Sequence, residues 1–119
     1  MGAVFFGRSD YLQKNAADVE AVIEAVLQLH RLAEEKPSLI KENALKLLAG
    51  TKPSTLDAIS QSYKELRIWD GNGGLSRQRG DTTLKFFEES GLMKKGAVTY
   101  ERAFTTEALE KVLRKIGQK

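Results

Sequence analysis

The chain contains no cysteine, which excludes disulfides, thiolate metal sites and cysteine nucleophiles. It has one histidine and one tryptophan, so neither a histidine-rich metal centre nor a tryptophan-rich surface can be assembled. It has two prolines, Pro37 and Pro53, and both suit the first turn of a helix. No apolar run is long enough to span a bilayer, and no basic stretch precedes the apolar residues at the N-terminus as a signal peptide would require. Neither sign of charge dominates: 19 Lys and Arg stand against 16 Asp and Glu, a net +3. The excess is carried late, by Lys94, Lys95, Lys111, Arg114, Lys115 and Lys119, and argues only weakly for an anionic partner.

What is present is mostly helical pattern. The 119 residues suffice for one domain with one core, expected over 1–119. The spacing of Val19, Val22, Ile23, Val26, Leu29 and Ala33 predicts a helix over 16–35, with Asn15 as N-cap and a short turn before it at Tyr11-Leu12. Pro37 opens a second helix with Ile40, Ala44, Leu47 and Leu48 inward, closed by Gly50. The short connection makes these two helices antiparallel neighbours. Pro53 opens a third, with Leu56, Ile59, Tyr63 and Leu66 on its stripe. Asp70-Gly71-Asn72-Gly73-Gly74 is a loop. Ser76 or Asp81 caps a fourth helix carrying Leu84, Phe86 and Phe87. It stops at Ser90-Gly91, with Leu92 placed for the apolar contact of a glycine cap. Residues 94–102 read as a polar linker. Thr105 or Thr106 caps a last helix with Leu109, Val112, Leu113 and Ile116 on one face, ended by Gly117.

The exception is Ala3-Val4-Phe5-Phe6, which has the character of a buried strand. A strand needs a sheet to satisfy its backbone, and no partner strand follows in the sequence. The expected fold is therefore mainly α, one N-terminal strand and about five helices. The strand pairs either with a second copy, giving a homodimer through Ala3, Val4, Phe5 and Phe6, or with the sheet of a larger protein.

Few residues suggest chemistry. His30 falls within the apolar face of the first long helix; a packing histidine is the plain reading and a ligand contact the sharper one. Trp69, next to Arg67, reads either as core or as the wall of a ligand cleft. Asp70, Asn72 and Asp81 have a partial calcium-loop spacing. Gly74 offers no side-chain oxygen at the fifth position, Leu75 replaces the glycine of the sixth, and aspartate stands at the twelfth. The glycines there lack the strand, the spacing and the lysine of a phosphate loop. The segment from Ser76 to Lys95, with Arg77, Arg79, Lys85 and Lys94, has a winged-helix-like Gly-Leu step at its end, which keeps open a stand-alone helical module for nucleic acid or protein. Glu88 and Glu89 interrupt its basic face. No nucleophile–base pair or metal set can be composed, so no enzyme, no metal and no cofactor is expected.

The order of the pieces resembles the C-terminal part of bacterial solute-binding proteins of the nitrate/sulfonate/taurine and thiamine-precursor transport group, which have the two-lobed type II periplasmic binding fold. The stretches that carry the resemblance are Val4-Phe5-Phe6-Gly7-Arg8-Ser9-Asp10-Tyr11-Leu12-Gln13-Lys14-Asn15, the long helix after it, the step Lys36-Pro37-Ser38-Leu39, the run Thr82-Thr83-Leu84-Lys85-Phe86-Phe87-Glu88-Glu89-Ser90-Gly91-Leu92-Met93, and Phe104-Thr105-Thr106-Glu107-Ala108-Leu109. The loop at 70–74 is longer and richer in glycine than that family would have. The resemblance implies the C-terminal segment of an α/β fold, in which the apolar strand returns to the first lobe and the helices cover it. It implies a small solute bound between lobes and handed to a membrane permease, in a periplasmic or membrane-anchored protein. Most ligand contacts would come from loops outside this stretch. Within it, Arg67, Trp69 and His30 are the candidate ligand-binding residues. No nucleic acid is expected on this reading.

Overall fold

A computed structural model describes residues 5–119. The described residues form seven helices: α1 Ser9–Lys14, α2 Ala16–Glu35, α3 Ser38–Leu47, α4 Pro53–Glu65, α5 Arg77–Glu89, α6 Tyr100–Ala103 and α7 Glu107–Ile116. None is long and apolar enough to cross a membrane. No strand occurs among the described residues.

The expected strand is therefore corrected where it can be read. Phe5 and Phe6 have no regular structure and are exposed by 75% and 95%; Ala3 and Val4 lie outside the described residues. An extended segment is held only by a neighbouring ladder, and every regular element described here is a helix, whose backbone bonds are internal.

The chain divides into two compact units. One comprises residues 24–72 with Lys119 and holds most of α2, then α3 and α4. Its buried apolar residues are Leu27, Ala33 and Leu56. Here α3 packs against α4, joined on the surface by Lys41 Nζ to Asp57 Oδ1 at 2.6 Å. The face of α2 differs from expectation. Leu27, absent from the predicted stripe, is 1% exposed, whereas Val22 and Leu29 lie open. Apolar residues surround much of this helix, so a ~100° period fits more than one face.

Helix α4 starts at Pro53 as expected and ends in a Schellman motif. Arg67 N donates to Lys64 O and Ile68 N to Tyr63 O, at 3.2 and 3.1 Å. Arg67 sits where glycine is usual, in the left-handed region with φ 47°.

The other unit comprises residues up to 23 and 73–118. Val112 and Leu113 of α7 are its buried apolar residues, as the spacing of the last helix predicted. Of the two expected caps of α5, Ser76 and Asp81, it is the Ser76 hydroxyl that accepts from Arg79 N. Asn15 stands at the expected position directly before α2, its carbonyl accepting from Val19 N at 3.0 Å, while its side-chain amide turns back to close α1, donating to Tyr11 O at 2.8 Å. The expected linker at 94–102 contains α6, which packs on α5. Gly80 is buried because the Tyr100 ring lies where a Cβ would stand. Leu92, expected to contact the end of α5, is 74% exposed.

Candidate functional site

Two of the three candidate residues meet in the unit formed by 24–72. His30 projects from α2 on the same face as Leu27, about one turn further along the helix. Its ring centroid is 5.4 Å from that of Trp69, and Tyr63 of α4 meets Trp69 nearly edge-on at 5.8 Å. These are ordinary separations for attractive aromatic pairs. His30 Nδ1 is 3.0 Å from the Asp70 carbonyl oxygen. A carbonyl only accepts, so Nδ1 carries the proton there. The next residue of α2, Arg31, donates from Nε to Gly71 O at 3.0 Å. Adjacent side chains of one helix thus hold two successive carbonyls of the loop after α4.

The loop is also fixed within itself and at its far side. Asn72 N donates to Asp70 Oδ1 at 2.9 Å. The Asn72 side-chain amide makes two bonds to one residue: Nδ2 to Lys119 O at 2.7 Å, and Oδ1 from Lys119 N at 3.0 Å. Lys119 Nζ pairs with Glu35, at the C-terminal end of α2. The hydrogen bond from Lys119, then its charge, lowers the Glu35 carboxyl below the ordinary carboxylate range.

Inside this frame Trp69 Nε1 is buried and has no hydrogen-bond partner among the described residues. A buried donor without an acceptor costs about 1–3 kcal/mol, so the loop holds the indole where its polar edge is unsatisfied. The cluster offers a ligand aromatic faces, an imidazole and one unused donor. Arg67 does not join it through any side-chain bond. Its guanidinium is exposed and without a partner among the described residues, and its position is explained by the turn that ends α4. The sequence singled out Trp69 and His30 as ligand candidates but not Tyr63 or Arg31, and it marked Asn72 only as a loop residue with a partial calcium-loop spacing. Tyr63 was legible only as part of the α4 stripe.

The cations of the basic segment are largely engaged within the other unit. Arg77 bonds Asp81 through Nε at 2.9 Å and Glu101 through Nη1 at 2.6 Å, and its guanidinium lies 4.8 Å from the Tyr100 ring centroid. Asp81, before Glu101, holds the guanidinium more firmly protonated. Arg79 donates to Gly74 O, and Lys85 pairs with Glu89. An open cavity of about 340 Å³ is lined by Arg77, Tyr100, Glu101, Phe104, Glu107 and Glu110 among others. Among the described residues no group of three His, Asp or Glu side chains could hold a metal ion.

Comparison with family models, with curated proteins and with solved structures returned no match, so the family resemblance rests on the sequence motifs alone.

Proposed function

We propose that this chain is the helical C-terminal part of a solute-binding component of an ABC-type importer, in which the His30–Tyr63–Trp69 cluster contributes to holding a small solute that is passed to a membrane permease. The observation that carries the binding role is the buried, unpartnered indole N–H of Trp69 between two other rings. Binding sites combine apolar faces with a few placed polar groups, and an unused donor is such a group. The transport role comes from the order of the sequence motifs. It is supported by the apolar residues left open on the helical unit, Leu45, Leu47, Leu48, Leu66 and Ile68, which a further layer of a larger protein would cover. Homodimerisation through Ala3, Val4, Phe5 and Phe6 belongs to the same reading, as the alternative cover for that apolar segment.

The test uses the endogenous protein. Source cells are fractionated and blotted with an antibody to this chain. The protein recovered from the positive fraction is titrated with nitrate, taurine and a thiamine-precursor pyrimidine while tryptophan emission is followed. The expected result is a band larger than the chain in the exported or membrane-anchored fraction, and a saturable emission change with one of the solutes. A cytoplasmic band at the chain's own 13.2 kDa and no response to any solute would overturn the proposal.

A further inference from the structure

We propose that Asn72 and Lys119 form a clasp that keeps the loop carrying Trp69 closed, and that release of the clasp opens the His30–Tyr63–Trp69 cluster to solvent and ligands. The inference deepens the binding reading, because it concerns the regulation of the same site. The clasp itself exists or not without any solute.

Three observations carry it. The Asn72 amide uses both its donor and its acceptor on the backbone of one residue, Lys119, as a neighbouring strand would. That residue is 47 positions away in sequence, so the pairing is a specific tertiary contact. Second, Lys119 is held again by its ammonium on Glu35, so a single residue is bound at backbone and side chain. Third, the loop it secures is under opposing pressure. The indole N–H of Trp69 lacks a partner, and Arg67 at the start of the loop is in a left-handed conformation. Both are relieved if the loop lifts: the N–H then reaches water and the Arg67 backbone can relax. The His30 and Arg31 bonds to the loop carbonyls, with the clasp, oppose that movement. A closed state held by a few polar bonds against a stored cost is a two-state element that a ligand can bias.

The lone tryptophan reports directly on this loop. Lys119 is removed from the folded chain with carboxypeptidase B, and the product is confirmed by mass. In parallel, Asn72→Ala is prepared. Emission wavelength and acrylamide quenching of Trp69 are compared with the untreated chain in the absence of any solute, with helix content checked by circular dichroism. The expected result is a red-shifted emission and a rise in quenching in both forms at unchanged helix content. Lys119→Met, which keeps the backbone bonds and loses the Glu35 pair, falls between them and the untreated chain. Unchanged emission and quenching after loss of Lys119 would overturn the clasp. Should Asn72→Ala not fold, the enzyme-treated chain decides alone. A solute that fails to bind in the titration above leaves this readout intact, so the two proposals fail separately.

Discussion

His30 on α2 and Asp70 in the loop after α4, 40 positions apart, are joined by an Nδ1–H···O=C hydrogen bond of 3.0 Å. Replacing the imidazole by leucine removes the donor, leaves the half-buried carbonyl with one partner fewer, and strips the tilted ring from Trp69. His30→Leu is expected to lower stability by about 1–3 kcal/mol in urea unfolding. Asparagine places an amide nitrogen near the position of Nδ1, so His30→Asn should recover part of the loss. Equal stability of the two variants would show that this bond contributes nothing.

Arg67 occupies the left-handed position of the cap that ends α4, with φ 47°. A side chain there costs about 1–2 kcal/mol relative to the right-handed region, and glycine adopts it freely. Arg67→Gly is expected to raise the thermal midpoint or leave it unchanged, and Arg67→Val to lower it. Because the guanidinium is exposed and unpaired among the described residues, neither change should act through lost contacts. A clear fall in stability for Arg67→Gly would mean that the side chain is held by something the cap does not explain.

These two residues show what was legible in the sequence and what was not. His30 is the one histidine, on an apolar helix face, and Arg67 is marked only by its place beside Trp69. The residue alone could not tell that one closes a tertiary contact and the other a helix, since the distinction lies in backbone geometry after Tyr63. Local chemistry read well: Pro53 and Ser76 start the helices they were expected to start, and Val112 and Leu113 are buried on the face that their spacing gives. The failures come from tertiary choice. Leu27 rather than Val22 is inside α2 because that helix is apolar on several sides. Helix α6 is not legible because it is a single turn, Tyr-Glu-Arg-Ala, with no apolar stripe of its own, held by contacts to Arg77 and Gly80, distant in sequence. Asn72 looked like a turn residue, and nothing nearby announces its bond to Lys119.

Gly80 in α5 is where the packing of α6 can be tested. A Cβ there would stand 2.4 Å from Tyr100 Cε2, closer than any real contact. Alanine favours a helix interior by about 1 kcal/mol over glycine, but overpacking typically costs about 1–3 kcal/mol, so the clash outweighs the propensity. Gly80→Ala should therefore lower the thermal midpoint and displace the Tyr100 ring from Arg77. Combining it with Tyr100→Ala should recover stability relative to Tyr100→Ala alone, because only the helix preference then remains. A stabilised single variant would contradict the contact.

The Arg77–Glu101 pair gives a pH dependence whose direction follows from the structure. The Glu101 carboxyl lies below the ordinary carboxylate range. Its own backbone N–H lowers it most, followed by the charge of Arg77 and bonds from Thr99 and Arg77, while partial desolvation opposes them. A group lowered in the folded chain binds its proton more readily when unfolded. It therefore contributes stability above the ordinary carboxylate range, and that contribution fades as pH falls through the lowered value. Both partners are exposed, and screening by salt keeps the effect small. The sharp readout is the titration itself. In an NMR pH series the Glu101 carboxyl should have a midpoint below that of an unstructured glutamate, and Arg77→Gln should move it back upward without restoring it fully, since the backbone bond remains. The same midpoint in both proteins would show that the ion pair does not form in solution.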